Sequence, residues 1–169
     1  MANPMCGQNK HDSDASVFGV GKTNVITSAA GTLDLQADDS GAIVFLNDAD
    51  GVVQLPAAAA GLQFKVVFGI DTTAGAKILA QSGDCFFGTL NVNSTTKAKC
   101  SAQSIDHATA IATVADYDTL DFTHDSQTLA GKAGDSVELI CIDSTAWMVT
   151  GALVTDGNDP DAIAIINAS

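Results

Sequence analysis

The sequence contains no arginine: its seven basic residues are all lysine, against twenty acids, and the formal net charge is -13. Nucleic-acid binding needs clustered cations, and no basic run occurs anywhere along the chain. The missing guanidinium also removes the bidentate clamps that grip phosphate and carboxylate. Charged residues are only 16% of the chain, against the usual quarter or so. Aromatic residues are scarce as well, with seven Phe, one Trp and one Tyr. The core must therefore be built mainly from Val, Ile, Leu and Ala. The four cysteines, Cys6, Cys85, Cys100 and Cys141, form no CxxC pair and no zinc spacing. They read as isolated thiols in a reducing compartment, although the spacing leaves two disulfides possible. No apolar run approaches the ~18 residues of a membrane span. The opening "MANPMCGQNKHDSDAS" has no basic region leading into an apolar one, so the expectation is a chain without a secretion signal, made in the cytoplasm.

What is present is a series of short extended segments. A chain of 169 residues fits one domain. Residues 1–16 read as a polar arm, and residues 17–169 as a single β-rich domain. "TLDLQA", from Thr32, alternates Leu33 and Leu35 against Asp34 and Gln36. "AIVFL" (Ala42–Leu46) and "VVQL" (Val52–Leu55) are strands, and the short polar link Asn47–Gly51 predicts a hairpin between them. Pro56 and four alanines predict one helical turn ended by Gly61, a corner too short for a βαβ crossover. "LQFKVVFG" resumes the alternation. "AKILAQ", "FFGTLNVN" and "ATAIATVA" all read as strands. "DSVELICID" sets Val137, Leu139 and Cys141 against Glu138, Ile140 and Ile142, and pairs with "TAWMVTG" across Asp143-Ser144. Glycines punctuate the chain, but no clean repeat period emerges. The fold class is all-β: a jelly roll, β-sandwich or barrel-like domain. A core poor in large side chains gains by hiding one flank against copies of itself.

Chemistry-bearing motifs are few. "SVFGVGKT" lacks the first glycine of a phosphate loop and the strand and helix that should flank it. Asp116, Asp118 and Asp121, in the densest acidic run, are weak candidates for calcium; no other cofactor is implied, and no EF-hand spacing is present. Ser104, Asp106 and His107 invite a triad reading, but lie in one local segment without a nucleophile elbow. Trp147 and Tyr117 are the candidate stacking groups if the domain holds a glycan.

Three stretches carry a resemblance. "LNDADGVVQLPAAAAGLQFKVVFG" (Leu46–Gly69), "GDCFFG" (Gly83–Gly88) and "AGDSVELICIDSTAWMVTG" (Ala133–Gly151) resemble segments of tailed-bacteriophage virion structural proteins. In those proteins Leu-Pro ends a strand, a small-residue turn ends in Gly, and a Trp marks the closing hairpin. The residue after that Trp is Met148 here, where the family more often has another aromatic. The resemblance implies a capsid decoration protein: a non-enzymatic homotrimer on the outer surface of the virion that clamps the major capsid protein. Asn3, Lys10, Val17 and Phe18 would then belong to a capsid-binding arm. The alternative it implies is a tail-fibre or surface module that recognises a host glycan.

Overall fold

Strand and corner alternate from Val25 to Leu79, and the way they alternate sets the architecture. The computed structural model describes residues 24–28, 30–73, 75–94, 100–112, 117–123, 130–155 and 164–166. β1 (Val25–Ser28), β3 (Ile43–Leu46) and β5 (Gln63–Phe68) stack parallel in one sheet. β2 (Thr32–Asp34), β4 (Val52–Gln54) and β6 (Lys77–Leu79) stack parallel in a second. The chain thus winds through three turns of a coil, visiting each sheet once per turn. A parallel pair needs a long connection, and here a whole turn through the opposite sheet supplies it without a crossover helix.

Inward side chains stack from turn to turn. Ile26, Val44 and Val66 align across the first sheet, and Leu33, Val53 and Ile78 across the second. Each return to the first sheet passes a glycine of left-handed backbone: Gly41 at φ +88°, Gly61 at +94° and Gly83 at +93°. An added Cβ at these three positions would meet nothing within 4 Å, so backbone handedness and not crowding calls for glycine.

The rest of the chain completes and caps this coil. β10 (Ser136–Cys141) lies antiparallel on β5, and β11 (Ala146–Thr155) lies antiparallel on β10. β7 (Cys85–Ser94) runs parallel to β11 and carries the antiparallel β8 (Cys100–Ile105) at the edge. The first sheet is therefore ordered β1-β3-β5-β10-β11-β7-β8. In the second, β9 (Thr119–Asp121) and β12 (Ala164–Ile166) extend the coil strands to give β12-β9-β6-β4-β2. One continuous core joins the two sheets in a sandwich-like arrangement. Trp147, Phe68, Phe86 and Phe122 are its largest buried side chains. A short helix, α1 (His107–Ala112), packs Ala110 against Cys85 and Ala146, on the side of the first sheet away from that core.

The all-β expectation holds, and several finer expectations do not. The parallel ladders of the coil are absent from a jelly roll, whose strands pair antiparallel. Among the described residues both sheets end in edge strands, β1 and β8 in one and β12 and β2 in the other, and neither is closed as a barrel. β3 and β4 form no hairpin, because Asn47–Gly51 turns the chain from one sheet into the other. Ala57–Ala60 contains no helical turn. Its backbone is held from outside, by Asp84 accepting from Ala58 N at 2.8 Å and by Cys141 O accepting from Gly61 N at 2.9 Å. These contacts outweigh the weak propensity of four alanines, too few to nucleate a helix. "ATAIATVA" begins as helix and not as strand. Asp106 Oδ1 accepts from Thr109 N at 2.9 Å and caps α1, leaving the alanine propensity unopposed. The repeat is real but uneven. Register partners lie 18 and then 22 residues apart, from Val25 to Ile43 to Lys65.

The hairpin across Asp143-Ser144 forms as expected. Cys85 and Cys141 are free, buried thiols; burial, helped by the nearby carboxylates, pushes Cys85 up to about 11.

Candidate functional site

The expected site residues scatter. Asn3, Lys10, Val17, Phe18 and Asp116 lie outside the described residues. Trp147 is fully buried, with its ring centroid 6.0 Å from that of Phe64. It is a core side chain with no face to offer a sugar, which corrects its reading as a stacking platform. Tyr117 is half-buried between the main core and the small cluster beneath α1. The two aromatics therefore form no open platform.

Asp118 and Asp121 are each turned to local work. Asp118 Oδ1 accepts from Thr119 Oγ1 at 2.9 Å. Asp121 Oδ1 accepts from Thr123 N at 2.9 Å, while its Oδ2 faces Lys77 Nζ at 3.4 Å. Among the described residues no three His, Cys, Asp or Glu side chains converge as metal ligands.

The residues of the apparent triad are also engaged apart from one another. Asp106 caps α1, and Ser104 Oγ lies 3.4 Å from Thr89 Oγ1 across the β7–β8 pair. His107 Nε2 lies 3.3 Å from Asp143 Oδ2. Asp143 mainly closes the β10–β11 turn, its Oδ1 accepting from Thr145 N at 2.7 Å and Ala146 N at 2.8 Å. Those hydrogen bonds hold its carboxyl below the usual carboxylate range.

The most distinctive surface is the outer face of the first sheet. Strand alternation sends Ile26, Val44, Phe64, Leu139 and Val149 inward, so their neighbours face out. Three rows of outward residues cross the central strands in register. Val25, Ile43, Lys65, Glu138 and Thr150 form one row, and Thr27, Phe45, Val67, Ser136 and Ala152 the next. Gln63, Ile140 and Met148 form the third. Lys65 and Glu138 are the charged residues of these rows, and they neutralise each other, Nζ to Oε1 at 3.1 Å. Both ends of that pair are exposed, so it adds little to stability. Exposed apolar side chains surround it: Val25 at 60%, Ile142 at 43%, Ile140 at 38% and Phe45 at 36%. An open groove of about 280 Å³ runs past Ile43, Lys65, Glu138 and Ile140. The aspartates of the coil sit elsewhere, at corners such as Asp38, Asp39, Asp48 and Asp50.

Alternation read one strand at a time does not reveal this face. The signal was in "DSVELICID", where Ile140 and Ile142 share the outward side with Glu138. Only the register places Phe45 and Met148 beside them.

No protein-family model, no curated protein and no solved structure matches this chain.

Proposed function

We propose that the protein is a non-enzymatic structural component of a bacteriophage virion, which binds the outer surface of the capsid as an oligomer, a homotrimer by the resemblance, and stabilises the shell. The observation that supports this reading is a sheet face with no net charge, its exposed apolar side chains set around one internal ion pair, on a chain of net charge -13. Such a surface suits a lasting protein contact better than a dissolved catalyst. The wound, two-sheet body supplies a stiff block with its acids at the corners, as a part added to a preformed shell requires. Residues 1–16, with Val17 and Phe18 behind them, would follow the capsid surface and gain hold through several linked contacts.

The test is capsid occupancy. Particles lacking this protein, incubated with the purified full chain and sedimented, should retain it and gain resistance to heat or low ionic strength. A chain lacking residues 1–16 should fold but occupy fewer sites. Failure of the full chain to sediment with particles overturns the virion role.

A further inference from the structure

We infer that the outer face of the first sheet, over β1, β3, β5, β10 and β11, is where copies of this chain meet. The inference rests on the self-association in the proposed function and adds the surface that carries it. It does not depend on what else the oligomer binds.

Charge is the first argument. Two copies at -13 each repel one another, and a stable contact must keep their acids apart. This face does so, because the one carboxylate in its rows among the described residues, Glu138, is answered by Lys65 within the same copy. A basic partner would be better met by the aspartate-rich corners, and an acidic partner by a lysine patch. A neutral face inside a strongly acidic chain best matches another neutral face.

Shape and size give the second argument. Five strands at ~4.8 Å spacing and about six residues at ~3.3 Å make a footprint of roughly 24 by 20 Å. Two such faces bury on the order of 1,000 Å², about the lower bound for a specific interface. The apolar residues are distributed over the whole face, from Val25 and Phe45 on one side to Ile140 and Met148 on the other. Gly69 lets the Phe45 ring lie flat, since an added Cβ there would sit 2.6 Å from two of its ring carbons. Flattened aromatic and β-branched side chains suit sheet-to-sheet packing, which relates two copies by a two-fold axis when whole faces meet, whereas in a trimer two different parts of this face would meet around the three-fold axis. α1 covers the neighbouring corner over Cys85 and Ala146, which confines the contact to these five strands.

Sedimentation velocity on the purified full chain tests this. The wild type should sediment at two or more times 17.1 kDa. Ile140→Asp and Ile142→Arg should each weaken association on the order of 100-fold or more by placing an unpaired charge in the contact. Thr32→Asp, on the second sheet, should leave it unchanged. Far-ultraviolet circular dichroism establishes that each variant is folded. If Ile140→Asp fails to fold, Ile142→Arg, beyond the end of β10, decides. Hydroxyl-radical footprinting of the unmodified chain gives an independent answer. Phe45, Ile140 and Met148 should be protected at high concentration and react on dilution. A folded oligomer unaffected by either variant, or equal footprints at both concentrations, overturns the assignment of the face while leaving self-association intact. A wild type that stays at 17.1 kDa at ~100 μM overturns self-association itself.

Discussion

Gly88 and Val149 face each other across the parallel β7–β11 ladder with no room for a side chain between them. A Cβ at Gly88 would lie 2.1 Å from Val149 O, and Gly88 adopts φ +126°. Close approach and backbone conformation therefore both demand glycine there. Because β11 also pairs with β10, this contact ties the late strands to the coil.

Gly88→Ala should consequently cost roughly 3 kcal/mol or more, from backbone strain together with displacement of β11. Gly41→Ala, at φ +88° with open space around it, should cost only about 1–2 kcal/mol. Urea unfolding of both variants measures the difference. Equal losses would show that β7 and β11 are not packed this tightly.

Trp147 fills the core, and its indole Nε1 has no hydrogen-bond partner among the described residues. Trp147→Ala should cost about 3–5 kcal/mol by opening a cavity. Trp147→Phe should cost distinctly less, since it also removes an unsatisfied polar group. Fluorescence of the single tryptophan should be blue-shifted and poorly quenched by acrylamide. Ready quenching would contradict its burial.

Asp84 is buried beneath the Pro56–Gly61 corner and holds Ala58 N there. Burial raises its pKa above 3.8, against the lowering effect of that hydrogen bond. The folded state thus binds the proton more tightly than the unfolded chain, and stability from this group falls as pH rises from 3.8 through the folded value. Asp84→Asn keeps an acceptor but does not titrate. Its stability relative to wild type should be greatest above the folded pKa and should decline as pH drops toward 3.8. Asp84→Ala leaves Ala58 N unpaired and should cost about 1–3 kcal/mol. A pH-independent difference between Asp84→Asn and wild type would refute the account.

Asp143 has the opposite sign. Its hydrogen bonds lower its pKa, so its contribution is present above pH 3.8 and is lost as pH falls through the lowered value. Asp143→Ala should loosen the β10–β11 turn and release His107, with a cost of about 1–2 kcal/mol near neutral pH that shrinks in strong acid, where the protonated carboxyl is a weaker acceptor. Thermal melts at pH 7 and pH 2 separate this from a loss independent of charge.

Much of the strand content was legible, and the reason is local. Phe64 and Val66 against Lys65, and Val137 and Leu139 against Glu138, carry a period of two whatever lies beside them. The β10–β11 hairpin was legible because Asp143 and Ser144 supply turn chemistry between two such runs. Asn47–Gly51 has similar chemistry but a different outcome. A polar corner between strands serves equally for reversing within one sheet or for crossing to another, and nothing in those five residues distinguishes the two. The face built from Phe45, Ile140 and Met148 was out of reach for the same reason, since its members lie far apart in sequence.

The amino-acid order alone determined that the chain is extended, glycine-cornered, acidic and without arginine, because propensity, turn chemistry and charge act over a few residues at a time. The tertiary structure decided that successive strands alternate between two sheets and stack parallel, that the alanines after Asp106 become a helix, that Trp147 goes inside, and which apolar residues gather around the Lys65–Glu138 pair on one face. Those outcomes depend on which distant strands bury one another's side chains, and on contacts such as Asp84 with Ala58 that no local pattern encodes.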